Sequence, residues 1–236
     1  LVDAPLPVSG IAWLDAMRRD NREVFVAGGL PLARVEAWKY TTLRGLARRP
    51  FVDGDAAALT RAVDPSALAL PGVDGARLVF VNGAFRADLS ALDALPAGLT
   101  LQPLSQALHA DPDPLRFVLS RRHYEADEAF TQINAAHARD GAVLRVADGV
   151  KIDAPLHLVF LGAPAEGDLA WHLRNVIELG EGAALTLVEH HLASGEQAHL
   201  STVVGDSELR EGAHLHRTVL QQAESHAPVK LVHATR

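Results

Sequence analysis

The sequence predicts a mainly β fold, in which a β-solenoid over residues 141–236 follows a mostly helical region over residues 1–140. Apolar residues recur at steps of three and four before residue 141 and at every second position after it. A turn of acidic residue, glycine and small aliphatic residue also occurs three times, at steps of 33 and 30 residues. Repetition at a near-constant step is typical of a solenoid, because each coil buries its apolar face against the next.

The first predicted element is a helix close to the start of the chain. Ile11, Leu14 and Met17 follow one another at three-residue steps, which places them along one side of a helix. The glycines and proline of residues 28–31 are predicted to end it. We interpret the apolar stripe as core packing.

Two further elements are predicted before residue 141. Residues 77–81 are a short strand-like run, followed by an Asn-Gly turn signal. A helical pattern then begins after Asp113 and Pro114, as an acidic cap followed by proline at the first helical position. We expect one long helix, or two with a break near Tyr124, and Gly141 is predicted to terminate the pattern in a left-handed conformation.

Short β-type runs make up the rest of the chain. The repeated turns place Gly149, Gly182 and Gly212 at equivalent corners, where the backbone must bend without a side chain. An antiparallel sandwich and a cupin-like barrel are alternatives, since both also contain many short strands. Runs that are apolar on both faces, such as residues 156–161, favour stacked parallel strands. The runs are residues 143–146, 150–152, 156–161, 173–179, 184–188, 200–204, 215–220 and 229–232.

Composition argues against several classes of function. The chain of 236 residues carries 22 basic and 29 acidic residues, and neither part is basic, so no nucleic-acid partner is predicted. No apolar run approaches the ~18 residues of a membrane-spanning helix, so no membrane partner is predicted. Cysteine is absent, which removes disulfides and thiolate chemistry from this chain. The first residues lack a signal-peptide pattern, so we expect a cytoplasmic location.

His214 and His216 form the motif most suggestive of a metal site. They stand two apart in a strand and therefore project from the same face. A cupin metal site would also need a glutamate four or five residues later, where the chain has Leu220 and Gln221, and the nearest glutamate is Glu224. We therefore favour an outward-facing polar strip and predict no metal site. A metal-dependent, cupin-like enzyme that uses these histidines is the alternative.

The remaining candidates for catalysis are weaker. His190 and His191 are adjacent, so in a strand they point to opposite faces. Glu178, Glu181 and Glu189 could supply the carboxylate pair of a polysaccharide-acting β enzyme, but charges at exposed strand ends are the expected explanation. The chain has neither a serine nucleophile elbow nor a phosphate-binding loop. No catalytic residue is therefore predicted.

Four stretches together resemble the SufB/SufD family of iron-sulfur cluster assembly subunits. Residues 36–41, EAWKYT, resemble the signature that opens SufD subunits. Residues 79–83 resemble the family's first strand and turn, and residues 130–141 resemble its helix-to-solenoid junction. Residues 174–183, followed by Glu189 and His190, resemble its solenoid body. The absence of cysteine favours the SufD branch, since SufB carries cysteines for sulfur receipt.

The resemblance implies a right-handed parallel β-helix and a scaffold subunit without turnover of its own. It implies pairing with a SufB-like paralogue and recruitment of a SufC-like ATPase through a C-terminal region beyond Arg236. No cofactor of its own is expected, and the assembled complex would handle the iron-sulfur cluster. We expect the solenoid to be incomplete after the strand-like residues 228–233, and a homodimer in isolation. Trp38 and Tyr40 are expected to be buried aromatics that tie the helical region to the rest.

Overall fold

A computed structural model describes residues 4–54, 57–68, 73–223 and 230–235 of the chain. Glu224 and the start of the last predicted strand lie outside these ranges. The described residues form a mixed α/β fold with about a third of them in strands, so the prediction of a mainly β fold is confirmed only in part. The helices are α1 (Ala12–Gly28), α2 (Arg44–Ala47), α3 (Leu104–Ala110), α4 (Asp113–Leu119) and α5 (Ala129–His137). The strands are β1 (Val52–Asp53), β2 (Arg77–Val81), β3 (Ala84–Phe85), β4 (Leu99–Pro103), β5 (Ala142–Val146), β6 (Leu156–Gly162), β7 (Leu169–Leu179), β8 (Ala184–Ala193), β9 (Leu200–Leu209), β10 (His214–Ala223) and β11 (Lys230–Thr235).

The strands form two sheets between which the chain alternates from β5 onward. The first sheet has the order β11-β9-β7-β5-β4, with β1 paired to β7, and the second has the order β10-β8-β6-β2-β3. The pairs β5–β7, β7–β9 and β9–β11 are parallel, as are β2–β6, β6–β8 and β8–β10. The prediction of stacked parallel strands is confirmed. Neither the antiparallel sandwich nor the cupin-like barrel describes this arrangement.

The main core lies between the two sheets. Phe80, Leu158 and Phe160 of the second sheet and Leu144 and Leu173 of the first belong to one buried apolar cluster. Successive residues of a strand project to opposite faces of the sheet. The residues that alternate with these core residues therefore form the outer face of each sheet. In the second sheet, that outer face carries a separate apolar cluster that includes Val79 and Val159.

Helices cover the outer face of the first sheet. Leu14 and Met17 of α1 pack in one cluster with Val143 of β5 and Val176 of β7. The Asn134 amide of α5 donates hydrogen bonds to the Leu173 carbonyl at 2.9 Å and to the Thr202 carbonyl at 3.1 Å, and it also contacts the Thr202 hydroxyl. One helix side chain therefore joins two neighbouring strands. No helix within the described ranges is long and apolar enough to cross a membrane.

The helix predictions are confirmed except at Asp113 and Gly141. Asp113 is the first residue of α4 rather than its cap, which is Pro112. The first helix buries Leu14 and Met17 and ends at Gly28, and the predicted strand at residues 77–81 is present. The second helical pattern divides into α4 and α5, with the break at Tyr124. The prediction for Gly141 is wrong, because α5 already ends at His137. A Cβ at Gly141 would lie 1.9 Å from the Arg174 carbonyl oxygen, so the position requires glycine for a close backbone approach.

Candidate functional site

Three glycine turns stack at one corner of the sheets. Gly149, Gly182 and Gly212 all have positive φ, at 72°, 63° and 67°. The Gly149 N–H donates to the Glu181 carbonyl at 2.7 Å, and the Gly182 N–H donates to the Glu211 carbonyl at 2.9 Å. The prediction that these glycines line up is therefore confirmed. The left-handed conformation explains the residue type, since side chains with a Cβ rarely adopt it.

The stacked turns fix the register of the strands that follow them. Lys151 lies opposite Ala184, and Ala184 lies opposite His214, at the same steps of 33 and 30 residues that separate the turns. β10 pairs with β8 along all ten of its residues. In the part of the chain that the structure describes, no strand pairs with the other side of β10. Its outer backbone groups therefore form an edge that another strand could extend.

His214 and His216 lie on the outward face of this edge strand. Both are exposed, whereas Leu215 between them packs against the core. Their neighbours across the strand pair are Ala184 and Thr186, which offer no imidazole or carboxylate. Among the described residues, no group of three or more His, Cys, Asp or Glu side chains is arranged to hold a metal ion. The location agrees with an outward-facing polar strip.

A buried ion pair lies close to the same edge. Glu189 in β8 is fully buried, and Arg217 of β10 donates to its two carboxylate oxygens, from Nε at 2.8 Å and from Nη2 at 2.9 Å. His191 Nε2 lies 3.7 Å from the second of these oxygens. The expectation that Glu189 is an exposed charge is wrong, since its side chain projects toward the same interior as Leu187. Glu178 lies in the other sheet and pairs with Arg145, and Glu181 is exposed in the turn before β8, so the three carboxylates lie in different surroundings.

The adjacent histidines of β8 point to opposite faces, as predicted. His191 packs against Phe160 of the main core, with 5.0 Å between ring centroids and the rings tilted by 39°. On the other face, His190 Nε2 lies 3.0 Å from Nδ1 of His157. Burial, with a contribution from the neighbouring charge of His157, lowers the pKa of His190 to about 4. Burial also lowers the pKa of His157, so both rings are neutral at neutral pH and one donates to the other.

A cavity of about 150 Å³, lined by apolar and polar side chains, lies between the sheets near this end. It is lined on the β8 side by His191 and on the β10 side by Gln221, and Trp171 of β7 also lines it. His199 is held beside it, because its Nε2 contacts the Ala163 carbonyl at 2.8 Å and its Nδ1 accepts the Leu169 N–H at 3.0 Å. The interior is therefore apolar around Phe80 and Leu158 but polar toward β10.

The aromatic residues of the EAWKYT motif differ in burial. Trp38 packs on Phe130 with 5.0 Å between ring centroids, and its indole N–H donates to the Asp127 carbonyl at 3.4 Å. Trp38 thus joins its segment to α5, as expected. The expectation is wrong for Tyr40, whose side chain is 91% exposed. The segment turns at this point through hydrogen bonds between neighbouring residues, which leaves the tyrosine ring facing outward.

The family of the chain follows from comparison with known sequences. The sequence model described as the SufBD protein N-terminal region matches residues 8–158, which is more than half of the chain. The chain belongs to the SufBD family. It is 27% identical over 192 residues to an iron-sulfur cluster assembly SufBD family protein of Synechocystis, and 28% identical over 190 residues to the iron-sulfur cluster assembly protein SufD of Escherichia coli.

These alignments cover most of this chain but less than half of each relative. The shares are 78% of the chain and 42% of the Synechocystis protein, and 79% of the chain and 41% of the Escherichia coli protein. The chain thus spans about two fifths of the length of the curated relatives it matches. The matched family region includes the EAWKYT motif, α5 and the first strands of both sheets.

Proposed function

We propose that the chain is a scaffold subunit of an iron-sulfur cluster assembly complex, built as a right-handed parallel β-helix. It acts by pairing with a SufB-like paralogue and recruiting a SufC-like ATPase. Membership of the SufBD family supports the role in cluster assembly. The alternation of strands between two parallel sheets and the column of Gly149, Gly182 and Gly212 support the β-helix. The proposed division places the helical region at residues 1–140 and the β-helix core at residues 141–236.

The observation that carries the proposal is the regular stack of parallel strands, which within the described residues runs out to β10. Ten residues of β10 are in regular register with β8, and the N–H and C=O groups on their other side are satisfied when a further strand, from residues beyond Arg236 or from a partner, pairs there. A partner strand would continue the same parallel sheet and would bury the polar interior around His191 and Gln221. In isolation, a second copy of the chain would take that place, so we expect a concentration-dependent homodimer. Sedimentation as a strict monomer over a wide concentration range would contradict this.

The chain acts through surfaces in this proposal, with no catalytic residue and no resident cofactor. The iron-sulfur cluster is cargo of the assembled complex. Because the chain contains no cysteine, any contact with the cluster would have to use imidazole or carboxylate ligands.

Co-purification tests the proposal directly. The complete gene product is co-expressed with the SufB-like and SufC-like proteins of its own organism, and the tagged chain is purified and analysed by size exclusion with light scattering. We expect a stoichiometric complex that contains all three proteins. The metal content of the chain purified alone is measured in parallel. Stoichiometric metal that is lost in a His214→Ala/His216→Ala variant, with no partner captured, would favour the cupin-like enzyme instead.

A further inference from the structure

Residues 30–50 form a segment with one buried side and one exposed side, which we call the basic segment. Its inner side consists of the buried Leu46 and the partly buried Trp38 and Leu43, which pack in a cluster with Phe25 of α1 and Phe130 of α5. Arg49 at the end of the segment is bound to Asp168 beside β7. The segment is therefore held firmly on the helical layer, and its outer surface has a defined shape.

The exposed side combines large apolar groups with cations. Tyr40 is 91% exposed and Leu32 is 59% exposed. The Lys39 ammonium lies 5.5 Å from the centre of the Tyr40 ring, and Arg44 and Arg48 are exposed one helical turn apart at α2. Arg34 is exposed on the preceding turn.

The charge of the basic segment is opposite to that of the whole chain. The segment contains five basic residues and one acidic residue, Glu36, whereas the chain has a net charge of −7. Glu36 lies 3.8 Å from Lys39, and both side chains are at least half exposed. An exposed ion pair of this kind contributes little, so Lys39 is available to another partner. The segment therefore exposes four cations and one aromatic ring, with Lys39 beside the ring.

We propose that the basic segment docks an acidic segment of another protein, one that also carries an aromatic or aliphatic side chain. Tyrosine and arginine are enriched at the centres of protein interfaces, where they bury large areas and form several hydrogen bonds. Carboxylates of the partner would pair with Arg44 and Arg48, and its apolar side chain would cover Tyr40 and Leu32. This composition favours a protein over nucleic acid, which is bound by domains with a strongly basic overall charge. The basic segment is not part of the β10 edge, so this interaction is separate from the proposed subunit pairing.

A labelled peptide tests the proposal. The probe is a fluorescein-labelled peptide of eight glutamates around a central Phe-Leu pair, and its binding to the complete gene product is measured by fluorescence anisotropy at low and high salt. We expect Tyr40→Ala to weaken binding by about tenfold and Arg44→Glu/Arg48→Glu to weaken it further. High salt should reduce the affinity, because the cations are exposed.

The chain offers matched control positions. Phe117 of α4 is 75% exposed, and the Arg121 guanidinium lies 5.5 Å from its ring. This pair has the same arrangement of cation and aromatic ring as Lys39 and Tyr40. Phe117→Ala and Arg116→Glu should leave peptide affinity within about twofold. All variants should keep the thermal unfolding midpoint of the wild type, because these side chains lie at the surface.

Three results would overturn the proposal. The first is no binding of the glutamate peptide, or equal binding of a peptide with lysines in place of the glutamates. The second is equal weakening by Tyr40→Ala and Phe117→Ala. The third is tighter binding of single-stranded RNA or of anionic lipid vesicles than of the peptide, with the same dependence on Arg44 and Arg48.

Discussion

Replacing Arg217 by methionine would remove the group that pairs with a fully buried carboxylate. Arg217 donates two hydrogen bonds to Glu189, at 2.8 and 2.9 Å, and only 16% of the arginine side chain is exposed. Hydrogen bonds to charged groups contribute about 1.5–3 kcal/mol each. Their loss, with the carboxylate left in the interior without its guanidinium partner, should lower the free energy of unfolding by about 3–5 kcal/mol.

The same measurement has an internal comparison in the first sheet. Arg145 Nε donates to Glu178 at 2.5 Å, but the two side chains are 33% and 30% exposed. Arg145→Met should therefore cost less than about 1 kcal/mol, since water replaces the lost partner. The double variant Glu189→Leu/Arg217→Met should cost clearly less than Arg217→Met alone, because no buried charge is left unpaired.

Urea unfolding at neutral pH, followed by circular dichroism, measures all of these variants. The reasoning is refuted if Arg217→Met is no more destabilising than Arg145→Met. It is also refuted if the double variant is as unstable as Arg217→Met, since the cost would then come from lost packing rather than from a buried carboxylate that has lost its guanidinium.

The other stability predictions concern two glycines and two histidines. Gly182→Ala should cost about 1–2 kcal/mol in urea unfolding, because φ is 63° while no described atom lies within 4 Å of the added Cβ. Gly141→Ala should cost more, because its Cβ would meet the Arg174 carbonyl oxygen; equal costs would contradict the close approach. Burial, together with the neighbouring charge of His137, lowers the pKa of His172 to about 3, and the pKa of His190 is lowered to about 4. Below the unfolded pKa of about 6.5, the unfolded chain therefore binds more protons than the folded chain. Each of the two histidines should lower the free energy of unfolding by up to ~1.4 kcal/mol per pH unit as the pH falls toward its folded pKa. Urea unfolding at pH 7.5 and 5.5 checks this, and a free energy that does not fall would contradict it.

The repeat of the turns could be predicted because it is a local signal. The numbers of residues between the acid-glycine turns equal those between residues that lie opposite each other in neighbouring strands, from Lys151 to Ala184 and from Ala184 to His214. Positive φ at the corner requires glycine, so the residue type itself marks where each coil bends. The opposite orientations of His190 and His191 follow from strand alternation alone.

Features that depend on distant packing could not be predicted in the same way. Gly141 looks like a helix terminator in sequence, but its role depends on the approach of Arg174 from β7. Glu189 looks like a surface charge, and its burial follows from a guanidinium 28 residues later in the chain. The sequence did contain a signal, since Glu189 and Arg217 each lie an even number of residues from an inward-facing leucine in the same strand. Charged residues at inward positions of a repeat deserve to be tested as pairs.

The exposure of Tyr40 illustrates a further limit. Trp38 and Tyr40 stand two apart, yet Trp38 packs on Phe130 and Tyr40 faces outward. Hydrophobicity alone does not distinguish an aromatic residue that anchors a segment from one that lies at an interface. Only the position of α5 decides which ring is covered.

Hydrogen exchange of the assembled complex tests the central claim most directly. Amide exchange is measured by mass spectrometry for the chain of residues 1–236, alone and after addition of a SufB-like protein from the same organism. We predict that the amides of β10 become strongly protected on complex formation, while those of β2 and β6, which are already paired inside the sheet, change little. A complex that forms without added protection of β10 would contradict the account.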